Sequence, residues 1–125
     1  MYPPELKYTK EHEWARIAGN VATIGVTQFA QESLGDVVFM DLPVVGSVVK
    51  QFAKFGEIES VKAVSDLFSP VGGKVVAVND EAKATPEIVN SDPYGKGWLL
   101  KIELADLSQV KALMGVEEYK KLLTH

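Results

Sequence analysis

From Val21 to Val26 the side chains alternate, with Ala22, Ile24 and Val26 on one face and Val21, Thr23 and Gly25 on the other. A period of two is the period of a strand, and a chain in which it recurs must build sheets. It does recur. Trp14 and Ile17 lie in a preceding strand joined through a turn at Ala18-Gly19-Asn20, and a strand over 36–42 is cut by Pro43. Further short runs at 47–50, 56–61, 67–69 and 74–79 are each bounded by Gly, Pro or Asn, as strands of a sandwich or barrel are. A last strand over 98–104 is expected to turn Trp98, Leu100, Ile102 and Leu104 inward. The core is expected to draw on Trp14, Ile24, Phe39, Trp98 and Ile102.

Helical spacing is confined to the two ends. Thr27 reads as an N-cap, Phe29, Ala30, Ser33 and Leu34 lie near one face, and Gly35 is a stop signal. Val110, Leu113 and Met114, then Tyr119, Leu122 and Leu123 after Gly115, predict two more helices within about 107–123. The expectation is one mostly β domain over 1–125 with three short helices. Gly46-Ser47-Val48-Val49 is echoed by Gly73-Lys74-Val75-Val76, each followed by a Glu-Ile pair, Glu57-Ile58 and Glu87-Ile88. The echo is either chance or the mark of two related half-sheets with Lys62 between them.

Composition excludes several kinds of chemistry. With 125 residues, 46 % apolar and 24 % charged, the chain can bury roughly two thirds of its unfolded surface and needs no metal to fold. It has no Cys, so thiol catalysis, Fe–S ligation and Cys-based zinc sites are out. Only His12 and His125 are imidazoles, too few for most His-built sites, and no metal site is expected. A net charge of −4 lacks the basic excess of nucleic-acid binders. No G-x-S-x-G elbow supports a hydrolase. The opening Met-Tyr-Pro-Pro-Glu-Leu-Lys has neither the cationic start nor the apolar core of a signal peptide, and no run is long enough to span a membrane. A cytoplasmic protein, monomeric and bound to neither membrane nor nucleic acid, is therefore expected.

One segment stands out chemically: Glu59-Ser60-Val61-Lys62-Ala63, followed by Ser65-Asp66. Lys62 falls on a connection between strands, in a hairpin over about 56–69, held away from the core. On spacing alone it is either a solvated surface charge or a lysine presented for use; an unaided exposed lysine is protonated and a poor nucleophile.

This block, with Ser69-Pro70-Val71, resembles the lipoylation hairpin of the H proteins of the glycine cleavage system. The resemblance runs along nearly the whole chain: Tyr8-Thr9 with His12-Glu13-Trp14, Leu34-Gly35-Asp36-Val37-Val38, Asp41-Leu42-Pro43, Val89-Asn90, Asp92-Pro93-Tyr94-Gly95 and Gly97-Trp98. Departures lie in turns and loops: Gly72-Gly73 for the family's Ser-Gly, no Gly at Gln51-Phe52, and a different pattern over 81–85. Lipoyl domains of 2-oxoacid dehydrogenases tend to place Asp immediately before the lysine, and biotinyl domains Met on both sides of it. Val61 and Ala63 fit neither.

The resemblance implies a lipoyl/biotinyl-type flattened β-barrel or sandwich, a barrel-sandwich hybrid, with lipoate in amide linkage on Lys62. It implies a non-catalytic shuttle that takes an aminomethyl group from glycine decarboxylase, which uses pyridoxal phosphate. The group then passes to an aminomethyltransferase that uses tetrahydrofolate, and dihydrolipoamide dehydrogenase, with FAD and NAD, reoxidises the arm. A lipoate ligase or octanoyl/lipoyl transferase, together with lipoyl synthase, would furnish the cofactor. An H-like carrier or lipoate donor serving another complex would use the same hairpin, and a mitochondrial matrix location would apply if a transit peptide had been removed. Glu59 and Asp66 either keep the tip soluble or join Ser60, Val61 and Ala63 in being read by these enzymes. His12 is either a packed residue beside Trp14 or part of a parking place for the arm. Glu13, expected on the opposite face, is either a plain surface acid or the carboxylate that holds the amine of a loaded arm.

Overall fold

The computed structural model describes residues 2–124 and takes the alternating runs as strands of two antiparallel sheets. The larger has six strands: β1 (Lys7–Tyr8), β2 (Glu13–Ala18), β3 (Val21–Val26), β5 (Val48–Val49), β8 (Gly73–Val78) and β9 (Leu100–Leu104), in the order β1-β2-β3-β9-β8-β5. The smaller has three: β4 (Val37–Asp41), β6 (Lys54–Ser60) and β7 (Val64–Phe68), in the order β4-β6-β7. The architecture is a sandwich of the barrel-sandwich kind, and neither sheet closes into a barrel. Ile24, Val75, Leu100 and Ile102 of the larger sheet meet Ile58 and Leu67 of the smaller in one buried core.

A second apolar cluster explains the other face of the larger sheet. Leu6, Tyr8, Trp14 and Tyr119 are buried together, with Tyr94 and Trp98 packed against them. The rings of Tyr8 and Tyr119 stack at 4.7 Å and 5° between planes. Tyr119 comes from α4 (Val116–Leu123), which follows a 3-10 turn over Leu107–Ala112. Both faces of β2 are therefore covered at its start, and Glu13, Trp14 and Ala15 are all buried in succession.

The front helix α1 (Gln28–Leu34) starts where the sequence places it. The Ala30 amide donates to Thr27 Oγ1 at 3.3 Å, and Gly35 ends the helix at φ +77°, a conformation that favours glycine. Two helices depart from the expectation of three: α2 (Asp80–Ala84) and α3 (Ile88–Ser91). At five and four residues they are too short to show a helical period. α2 is capped by Asn79, read in the sequence as the end of a strand, whose Oδ1 accepts from the Ala82 amide at 3.2 Å. The echo does not mark two half-sheets, because its two Gly-x-Val-Val runs fall in one sheet. β5 pairs with β8, Val48 opposite Lys74, and Glu57-Ile58 lies in β6 while Glu87-Ile88 opens α3.

Two core assignments are corrected. Trp98 precedes β9, is only half buried and packs with the Trp14 cluster, while Leu99 takes a fully buried place. Phe39 is 57 % exposed. The cause is a β-bulge: Val37 pairs with Ser60 and Phe39 with Glu59, so Val38 is an extra residue that breaks the alternation.

Trp14 lies directly over Gly25, its cross-strand partner, and a Cβ there would fall 2.5 Å from the indole ring. Gly25→Ala is expected to destabilise the fold by about 1–3 kcal/mol through overpacking. Chemical denaturation checks this through a lower midpoint at unchanged slope.

Candidate functional site

The β6–β7 hairpin is closed by a turn of three residues, Val61, Lys62 and Ala63, and one buried hydroxyl organises it. Ser60 Oγ accepts from the Lys62 amide at 3.2 Å and from the Ala63 amide at 3.1 Å, while the Ser60 amide donates to the Ala63 carbonyl at 2.8 Å. The Val61 amide donates to the Asp36 carbonyl at 3.0 Å, anchoring the turn to the strand entry of β4. These bonds use the backbone groups of the turn, so its side chains are free to face outward: Val61, Lys62 and Ala63 are all exposed. Glu59 and Asp66 are exposed on the flanking strands.

The stem of Lys62 runs over Gly35, where a Cβ would lie 3.5 Å from Lys62 Cε. Asn90, on α3, fixes this shelf from beneath. Its Nδ2 donates to the Gly35 carbonyl at 2.8 Å and to Gln31 Oε1 at 3.0 Å, and its Oδ1 accepts from the Val37 amide at 2.8 Å. A single side-chain amide thus ties the end of α1 to the start of β4. Its structural part was beyond the sequence pattern, which supplied Asn90 only through resemblance.

Glu13 is not the surface acid that strand parity suggests. It is 2 % exposed. Thr9 Oγ1 donates to its Oε1 at 2.6 Å and the Phe68 amide donates to its Oε2 at 3.1 Å, so both oxygens are oriented. Burial pushes its carboxyl up from the usual 4.5 to about 7, against the pull of those two donors. A groove of about 210 Å³ runs from Ala63 along Leu34, Ser65 and Asp66 to Glu13 and His12. On the far side of Glu13 a more apolar cavity of about 480 Å³ lies between Phe52, Phe68, Leu113 and Met114.

His12 forms the bend before β2 at φ +71°, not the strand itself. Its Nδ1 is 2.8 Å from the Tyr119 hydroxyl, which is 2.8 Å from Thr27 Oγ1, and its ring lies against Phe29. Partial burial lowers its pKa below the usual imidazole value, against an opposing pull from Glu11. The structure therefore brings His12 and Glu13 to one end of the groove, with Ala63 at the other. Lys54 joins Glu57 and Asp66 at 2.8 and 3.1 Å, an exposed pairing worth little in water. Among the described residues no three His, Asp or Glu side chains converge as a metal site, and no helix is long and apolar enough to cross a membrane. His125 lies outside the described residues.

The glycine cleavage H-protein family model matches residues 6–125. The glycine cleavage system H protein of Carboxydothermus hydrogenoformans is 52 % identical over 121 residues, covering 97 % of this chain and 93 % of that protein. The protein of the same description from Myxococcus xanthus is 57 % identical over 121 residues, covering 97 % and 94 %. A crystal structure of a glycine cleavage system H protein from Mycobacterium marinum superposes with a TM-score of 0.91 at 37 % identity, covering 99 % of this chain and 100 % of that one.

Because the Glu13 carboxyl titrates higher in the folded protein than in the unfolded chain, it favours folding fully below pH 4.5. That contribution fades as pH rises through about 7. It amounts to about 3 kcal/mol lost by pH 8. Glu13→Gln, which cannot ionise, is expected to melt higher than the wild type at pH 8 and alongside it at pH 4.5. Thermal melts across that range measure the crossing.

Proposed function

This chain belongs to the glycine cleavage H-protein family, and on that premise we propose that it is the lipoyl-bearing shuttle of a glycine cleavage system. In that role it carries an aminomethyl group from glycine decarboxylase to the aminomethyltransferase. The observation that carries the reading is Lys62, exposed on an internally bonded turn and next to Ala63, which begins a groove that ends in a buried carboxyl. Dihydrolipoamide dehydrogenase is the third partner of the cycle, and the ligase or transferase that acts on Lys62 is a fourth. The bacterial sources of the two curated relatives support a cytoplasmic setting.

The residues present fit lipoate. Lys62 offers the amine for an amide, and the shelf at Gly35 leaves room for its stem. The groove beyond is lined by Val26, Phe29, Ala30, Leu34, Ile58 and Leu67, a surface that suits an uncharged aliphatic arm better than an ammonium. Lipoate on Lys62 supplies the disulfide that a chain without Cys cannot, and the dithiol on which cargo travels.

The protein's own residues do the rest. Ser60 holds the turn so that Lys62 is presented at one fixed point. Glu13 and His12 close the far end of the groove beside Glu11, and Glu13 gives a cationic amine an oriented acceptor there, with Thr9 and the Phe68 amide holding the carboxyl in place. A hydrogen bond between an ammonium and a shielded carboxylate is worth roughly 1.5–3 kcal/mol, enough to shift a docked-to-free ratio about tenfold or more. Asp66 lies along the same groove.

Lys62→Arg keeps the charge and is expected to abolish lipoylation with little change in melting temperature. Intact mass after expression with lipoate reads the gain of one lipoyl group in the wild type and none in the variant. Lipoate mapped to another lysine would refute the assignment. Glu13→Gln is expected to leave that mass gain intact and to shorten the lifetime of the amine cargo, read as faster release of formaldehyde and ammonia. Equal release rates would remove Glu13 from the docking role.

A further inference from the structure

We propose that the outer face of the β4-β6-β7 sheet is the docking surface for the enzyme that acylates Lys62. Phe39 is its apolar anchor, and the partner opposes it with a basic surface. The proposal rests on the reading of Lys62 as the modified residue. It begins from the bulge at Val38. Val37 and Met40 point inward, while Val38 and Phe39 both point out. Without the extra residue Phe39 would share the inward face of Val37. Bulges of this kind re-aim side chains next to functional sites.

The position to which Phe39 is re-aimed gives the proposal its content. Phe39 pairs with Glu59, and Glu59 with Val64, so one row crosses all three strands at the end nearest Lys62. Phe39, Val64 and Val61 of the turn are 57 %, 61 % and 68 % exposed, so this end of the sheet offers an aromatic and two aliphatic side chains to solvent. Behind it, Asp41 pairs with Glu57 and Glu57 with Asp66, a row of three carboxylates of which Glu57 and Asp66 share Lys54. An aromatic anchor beside an anionic row fits a partner with an apolar slot bordered by Arg or Lys.

Reach selects which enzyme this is. Phe39 is one strand across and three residues back from Lys62, about 10 Å away. A bare lysine extends only about 6 Å from its Cα. An enzyme that must bring Nζ into its own active site is therefore pressed against the flanking strands. Enzymes that meet the far end of a completed arm work at roughly twice that distance. In the acylation, Nζ attacks the carbonyl carbon of an acyl adenylate or acyl thioester. The C–N bond forms as the C–O or C–S bond to the leaving group breaks, and the displaced proton passes to a base of the enzyme.

The test uses the full unmodified chain, a lipoate–protein ligase, lipoate and ATP, with acylation followed by intact mass. Phe39→Ala is expected to lower kcat/KM about tenfold or more, mainly through KM, and Phe39→Tyr to restore most of it. Val48→Ala, at a more exposed apolar side chain on the other sheet, is expected to match the wild type. Added salt is expected to raise KM for the wild type. Acylation of Phe39→Ala at the wild-type rate overturns the proposal. So does a Phe39→Ala variant that is acylated normally but slows transfer between the cycle enzymes, since the face then belongs to them. A wild type that gains no mass at all removes the reading of Lys62 itself, an outcome distinct from either.

Discussion

A carboxyl group taken almost wholly out of water joins the two sheets at the site. Glu13 begins a strand of the larger sheet and accepts a hydrogen bond from the Phe68 amide at the end of β7 in the smaller. Its other oxygen is held by Thr9, whose backbone amide also donates to the Glu13 carbonyl at 3.0 Å. Without a partner such a group would cost several kcal/mol to bury. With two donors it becomes a spacer of fixed direction, open to a groove on one side and a cavity on the other. The relative placing of Lys62 and the groove's end follows from it, because β7 runs from one to the other.

Around that joint the functional parts are held by short-range bonds rather than by bulk. Ser60 sets the turn, Asn90 sets the shelf beneath the lysine stem, and Tyr119 reaches from α4 to the hydroxyl that caps α1. Each is a buried or half-buried polar group with its hydrogen bonds satisfied; among the described residues no buried side-chain nitrogen or oxygen lacks a partner. Such networks specify one arrangement because each alternative leaves a donor or acceptor unmet.

Most of the strand framework was legible because alternation and Gly, Pro and Asn breaks are local signals. β3 and the Gly19 turn follow directly from them. What failed did so for tertiary reasons. Strand parity puts Glu13 opposite Trp14 and hence in water, but the Tyr8–Trp14–Tyr119 cluster and the main core cover both faces of β2 at that point. The Val38 bulge depends on how β4 meets β6, and nothing in the run Asp36–Leu42 announces it. Lys62 was legible as an exposed lysine between strands, and the structure bears out that exposure; its proposed modification rests on resemblance. The Phe68 amide, which orients Glu13 from β7, was missed because a backbone donor leaves no mark in a sequence, and the Thr9 hydroxyl because its contact depends on the bend at His12.

The bulge has another consequence, for self-association. β4 is an edge strand of its sheet, and an exposed edge carrying a phenylalanine invites a second copy to add a strand. At Val38 the spacing of the outward N–H and C=O groups slips, so a regular strand laid alongside cannot keep its ladder. The Val37 amide is already taken by Asn90. An edge with this geometry is open to side chains and closed to backbone. It lets the protein expose a greasy surface for recognition without offering a template for cross-β growth.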